Sequence, residues 1–148
     1  MNDLEYMHLA IVQAQSAGLR GEVPIGALIV MDGRIVAAAG NRTITDCDPT
    51  AHAEIVALRE AAQKVANHRL SGASLYVTIE PCAMCAGALV QARVARLIYG
   101  ADEPKGGAIR TCMQVLDAPA LNHRVEVVSG VLAEESVRLL QAFFSARR

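Results

Sequence analysis

Apolar positions recur along this chain with two different periods, and the changes of period predict its elements. Leu4, Met7, Ile11 and Ala14 are spaced by three and four residues, as on one helical face, and Gly18 ends the pattern. Pro24–Met31 is a continuous apolar run of strand length. Asp32-Gly33 is a tight-turn dipeptide, and Arg34–Ala39 reads as the returning strand of a hairpin. Gly40–Pro49 is polar and reads as a loop. Thr50 is the expected N-cap of a helix that runs through His52, Glu54, Leu58 and Ala62. Ser74–Ile79 is a short β-rich run. Pro81 is expected in the first turn of a helix continuing through Ala83–Ala92. Val94–Tyr99 predicts a strand, Asp102–Gly107 a loop, Arg124–Val128 a strand and Leu132–Phe144 a C-terminal helix.

The resulting order is α-β-β-α-β-α-β-(α)-β-α. A hairpin followed by strand–helix–strand crossovers implies an α/β fold whose mixed sheet carries helices on both faces. No linker, repeat or low-complexity segment divides the chain, so residues 1–148 are expected to form one domain. Runs such as Ala37–Ala39 read as packing choices.

Composition narrows the class. The chain has 148 residues, 53% hydrophobic and 20% charged, enough for a real core and too apolar for disorder. No stretch reaches the roughly 18 consecutive apolar residues of a membrane span. Met1–Glu5 is acidic and leads into no apolar signal segment, so a cytoplasmic location without membrane association is expected. The net charge of −1 excludes a strongly basic nucleic-acid coat protein. The charge is unevenly spread, however: residues 1–60 hold four Arg against eight acids, and residues 61–148 hold ten basic residues against seven acids. A polyanion would therefore meet the C-terminal half first, unless the imbalance is only a solvated surface.

Four cysteines are present, Cys47, Cys82, Cys85 and Cys112. A chain of this size with no sign of secretion has no need of disulfides, so Cys82-x-x-Cys85 points to metal or redox chemistry. His52-Ala53-Glu54 opens the preceding predicted helix. Imidazole and two thiolates suit zinc. Residues three apart at a helix start share a face, and free N–H groups there favour thiolates. Three protein ligands leave one coordination position for water, the arrangement of a catalytic site. Glu54, two residues from His52, is placed to act as a general base. A thioredoxin-like pair and a closed structural zinc site are the competing readings. The upstream His52-x-Glu54 and the missing fourth ligand speak against them.

His52-Ala53-Glu54 with Pro81-Cys82-x-x-Cys85 resembles the signature of the zinc-dependent cytidine deaminase superfamily. A longer set of segments resembles its bacterial tRNA adenosine deaminase family. They are Glu22–Ala27, Asn41-Arg42, Asp48–Glu54, Leu75–Thr78, Glu80–Ala88, Leu121–Arg124 and the ending Phe143-Phe144-x-x-Arg147-Arg148. The resemblance implies a three-layer α/β/α cytidine-deaminase-like fold with a mixed five-stranded sheet, and a homodimer. It implies one Zn²⁺ per chain on His52, Cys82 and Cys85, with Glu54 as proton shuttle. Substrate contacts are implied at Asn41, Pro81, Asn122 and His123. The implied reaction is hydrolytic deamination of the wobble adenosine to inosine in a tRNA anticodon stem-loop.

Lys105, Arg110, Phe144, Arg147 and Arg148 are candidate RNA contacts. For Arg110 a solvated loop role is the alternative, for Phe144 a core or dimer role. The chain departs from the family around residues 103–111, with Glu103 where Asp is common and Ile109-Arg110-Thr111 where small residues and Gly-Ser are common. Deamination of a free base or nucleoside (guanine, cytosine or cytidine) remains the alternative within enzymes. A silent zinc-stabilised RNA-binding module is the alternative outside them, and would have no need of Glu54.

Overall fold

The computed structural model describes residues 1–147. Its elements are α1 (Asp3–Leu19), β1 (Gly26–Met31), β2 (Arg34–Gly40), α2 (Ala53–Val65), β3 (Ser74–Ile79), α3 (Ala83–Gln91), β4 (Arg96–Ala101), β5 (Glu126–Val128) and α4 (Ala133–Ser145). A single 3₁₀ turn, Val115–Asp117, precedes β5. The five strands form one sheet in the order β2-β1-β3-β4-β5. β1 is antiparallel to both β2 and β3, whereas β3, β4 and β5 run parallel.

Alternation along the strands sorts the core into two layers. Ala27, Ile29, Leu75, Val77, Leu97 and Tyr99 pack with Ala57 and Leu58 of α2 and Leu89 of α3. Leu28, Val30, Tyr76 and Ile98 face the other way, onto Tyr6, Met7 and Ala10 of α1. The C-terminal helix α4 lies beside α1 against β4. The result is the expected α/β/α sandwich.

Alanine on α1 has a specific use. Ala10, Ala14 and Ala17 are fully buried. The backbone of α1 comes so near β1 that a Cβ at Gly26 would collide with the Ala10 carbonyl and the Ala14 amide. Gly26 is therefore needed for close approach.

Several boundaries differ from the sequence reading. α1 passes through Gly18, which costs little near a helix end, and its start is fixed by a capping box of Asn2 and Glu5. β4 begins at Arg96, because Val94 is still tied to α3 through the Leu89 carbonyl. Thr50 does not cap α2. Its amide and hydroxyl both bond to the Asp48 carboxylate, at 2.8 and 2.7 Å, and His52 takes the cap position. Pro81 also lies outside its helix, just before the cap residue Cys82.

Strand direction decides where chemistry gathers. The antiparallel pairings place the start of β1 and the end of β2 beside the end of β3. The parallel pairing adds the end of β4 to the same edge. Ligand sites of open α/β sheets form at such C-terminal strand ends.

Candidate active site

Four connections meet at that edge: the approach to β1, the loop after β2, the β3–α3 junction and the loop after β4. His52 and Cys82 are the N-caps of α2 and α3, and neither side chain caps its own helix. Instead they turn toward each other. His52 Nδ1 lies 3.6 Å from Cys82 Sγ and 3.6 Å from Cys85 Sγ. All three donor atoms lie within 4.8 Å of one another. With Zn–S near 2.3 Å and Zn–N near 2.0–2.1 Å, a tetrahedral ion holds nitrogen and sulfur roughly 3.5–3.6 Å apart. The donor geometry thus fits zinc. Cys47 and Cys112 are exposed and lie outside this cluster.

The protonation states also fit a cation. Hydrogen bonds from Cys85 and His52 pull the Cys82 thiol far below its ordinary value. The same bond to Cys82, together with burial, pushes the Cys85 thiol up. Two sulfurs this close compete for one proton, and a bound cation relieves the competition by making both thiolates.

Glu54 stands in the first turn of α2 and is 3% exposed. Burial pushes its carboxyl upward, and its own backbone N–H, the charge of His52 and the Cys85 thiol offset this only in part. Burial makes the protonated form of such a carboxyl easier to populate than in an exposed one.

Asn41 closes the pocket. It is 7% exposed, and its Oδ1 accepts the Ala53 N–H at 3.2 Å. That contact satisfies an orphan donor at the start of α2 that His52 leaves open. Among the described residues no partner holds its Nδ2. Asn41, His52, Glu54 and Cys82 line a cavity of about 180 Å³ together with Val23, Ile25, Ile79, Glu80 and Glu103. A larger groove of about 1140 Å³ shares the Val23, Ile25, Ile79 and Glu103 walls, and Lys105 and Phe144 line its far side.

Other candidates are placed differently. Pro81 is buried directly beside Cys82, and its carbonyl accepts the Ala108 N–H at 2.9 Å. Asn122 and His123 do not line the pocket. His123 Nε2 bonds to the Val94 carbonyl at 2.7 Å, which ties that loop to the end of α3. Arg110 sits on the surface, where Asp102 holds its Nε and Nη2 in a two-pronged pair at 3.0 and 2.8 Å. Arg147 stacks its guanidinium 3.4 Å from the centre of the Phe143 ring and bonds the Phe143 carbonyl. Arg148 lies outside the described residues.

Sequence reasoning missed two buried acids. Glu22 is fully buried and accepts from Thr43, Ile44 and Thr45, next to Asn41. Glu80 is 2% exposed and accepts from the loop after β4. An acid at the end of an apolar strand run was the available signal for Glu80.

Fold and donor set together define a cytidine-deaminase-like nucleobase hydrolase. The model of the MafB19-like deaminase family matches residues 1–148. A tRNA-specific adenosine deaminase of Agrobacterium fabrum is 50% identical over 143 residues, 97% of this chain and 94% of that protein. The Bacillus subtilis protein of the same name is 49% identical over 143 residues, 97% and 89% of the two chains. A solved structure from studies of A-to-I editing by tRNA:A34 deaminases at the wobble position of transfer RNA superposes with a TM-score of 0.89. It is 50% identical, over 92% of this chain and 99% of that one. The chain belongs to the family of tRNA-specific adenosine deaminases, among the MafB19-like deaminases.

Proposed function

We propose that residues 1–148 form a single deaminase domain that converts the wobble adenosine of a tRNA anticodon stem-loop to inosine, releasing ammonia. The observation that carries this reading is the convergence of His52, Cys82 and Cys85 at zinc-ligand distances on a pocket whose wall includes the buried Glu54 and the amide of Asn41. The similarity to proteins named for that reaction supports it.

One zinc ion per chain would be held by His52 Nδ1, Cys82 Sγ and Cys85 Sγ. When bound, zinc supplies Lewis-acid activation of a water molecule. The protein's own groups do the rest. Glu54 takes a proton from the attacking water and hands it to N1 of the adenine; once C6 carries the new hydroxyl, Glu54 takes that hydroxyl proton and passes it to the amine, which leaves as ammonia while C6 becomes a carbonyl. Burial favours the protonated form of Glu54 more than in an ordinary carboxyl. Asn41, its Oδ1 already engaged by Ala53, presents Nδ2 as a donor to the base or ribose. Val23, Ile25 and Ile79 wall the pocket with apolar surface that excludes bulk water.

A pocket this narrow admits one splayed-out base, which a hairpin loop supplies at little unstacking cost. The adjoining groove, with Lys105 and Phe144 on its walls, suits the neighbouring nucleotides. No helix among the described residues is long and apolar enough to cross a membrane, and the substrate class fits a cytoplasmic enzyme. The reading includes a homodimer, to be tested by sedimentation.

The test is incubation of purified zinc-loaded protein with an anticodon stem-loop bearing wobble adenosine, the same sequence in a full duplex, and free guanine, cytosine, cytidine and adenosine. Mass analysis should find inosine in the stem-loop alone. Turnover of a free base with no inosine in any stem-loop would move the chain to small-molecule deamination.

A further inference from the structure

Glu80 is the last residue before Pro81-Cys82, yet it ligates nothing in the zinc cluster. Although Glu80 also lines the small cavity, its carboxylate oxygens are taken up by the loop after β4. Oε1 accepts the Glu103 N–H at 3.0 Å and the Thr111 hydroxyl at 3.0 Å. Oε2 accepts three consecutive backbone N–H groups, those of Ile109, Arg110 and Thr111, at 3.0, 2.9 and 3.1 Å. The lone pairs of a carboxylate are thereby all engaged by one loop. The loop closes tightly around this centre. A Cβ at Gly107 would run into the Glu80 carboxyl group and the Thr111 hydroxyl. The Asp102–Arg110 pair spans the loop from outside.

What the loop carries gives this anchor its meaning. Glu103 is a wall of both the small pocket and the large groove, and Pro104, Lys105 and Thr111 line the groove. None of these residues belongs to the metal cluster. A carboxylate gathering five donors therefore fixes the substrate-facing wall relative to the β3–α3 junction that bears Cys82.

We propose that Glu80 is a positioning residue that sets the substrate-binding wall formed by residues 103–111, acting on stem-loop engagement and not on the chemical step. The proposal rests on the deaminase reading of the site. Glu80→Gln keeps the size of the side chain but must turn an NH₂ toward N–H or O–H donors whichever way it is flipped. Gly107→Ala disturbs the same contact from the loop side, away from Cys82.

Both variants, zinc-loaded, should keep one zinc per chain. In stem-loop deamination each should raise KM roughly tenfold while kcat stays within about threefold, the pattern of lost binding. Trypsin should cut after Lys105 or Arg110 faster in both than in wild type, because a released loop opens more often. The double variant should be no worse than either single one, since both break one contact. Wild-type KM and wild-type cleavage rates in Glu80→Gln would overturn the proposal. So would loss of zinc in Glu80→Gln beside an unaffected Gly107→Ala, which would make Glu80 a support of Cys82 alone. Should Glu80→Gln fail to fold, the Gly107→Ala kinetics and cleavage decide. If wild type makes no inosine in any stem-loop, the substrate reading fails, while the cleavage rates still judge the anchor.

Discussion

Glu54 and Glu80 are the same residue with nearly the same exposure, 3% and 2%, and they behave in opposite ways. Burial penalises the charged form of both. At Glu80 the backbone N–H groups of Arg110, Glu103, Thr111 and Ile109 outweigh that penalty and hold the carboxyl below its ordinary range. At Glu54 burial prevails and the carboxyl is pushed up. Glu22 repeats the Glu80 pattern, with burial overcome by Thr45, Ile44 and Thr43. A buried carboxylate surrounded by donors is a fixed anchor, while one left short of donors is free to exchange a proton. On the proposed reading, the site uses both kinds, one for chemistry and two for the walls around it.

The harshest way to break this contrast is to remove the ligands beside Glu54. Cys85→Ser should abolish stem-loop deamination and lose zinc by elemental analysis. Its melting temperature should also fall, because metal binding to a preformed site adds to folding stability. Glu54→Gln isolates the proton carrier. Turnover should fall by about 10²–10⁴-fold or more, with zinc content and melting temperature retained. Loss of zinc in that variant would make Glu54 a ligand instead.

Asn41 sharpens the comparison because it holds the start of α2 and, on the proposed reading, meets the substrate as well. Asn41→Ala should lose roughly 0.5–2 kcal/mol of stability with the remote cap of α2, measured by denaturant unfolding, and should also raise KM. Asn41→Asp keeps an acceptor for the Ala53 N–H but removes the Nδ2 donor. It should keep the stability and not the KM.

The anchors should reveal themselves in acid. The folded-state pKa of Glu22 lies below its ordinary 4.5. Its stabilising contribution is therefore complete above about pH 4.5 and is lost as pH falls through the folded value. Glu22→Gln should be less stable than wild type at pH 7, and the gap should close as pH is lowered. A constant gap from pH 7 to pH 3 would contradict this assignment. The smallest effect belongs to the tail: removing Arg147 and Arg148 should weaken stem-loop binding and reduce the slope of log K against log salt by about 1–2, with zinc content unchanged.

Residue chemistry and local spacing made the candidate metal corner of this protein legible. His52, Glu54, Cys82 and Cys85 are legible in the chain because ligand type and helix-start spacing are local properties. The order of elements was legible for the same reason, since the apolar period changes wherever an element ends. Details that depend on competition between neighbours were not. Thr50 has the chemistry of a cap, but Asp48 lies two residues away and takes both of its hydrogen-bonding groups, so His52 became the cap and Asn41 its distant substitute. Arg110 has the charge to meet a phosphate, and only the return of the chain past Asp102 engages it. Asn122 and His123 sit in a conspicuous motif, yet the fold spends His123 on the Val94 carbonyl. The anchors were the least legible of all. Glu80 and the N–H groups it collects stand 23 to 31 residues apart, and they meet because β3 and β4 run parallel and release their chains at one edge. A backbone N–H carries no sequence signature, so a carboxylate that works by gathering them becomes visible only when the tertiary structure brings them round it.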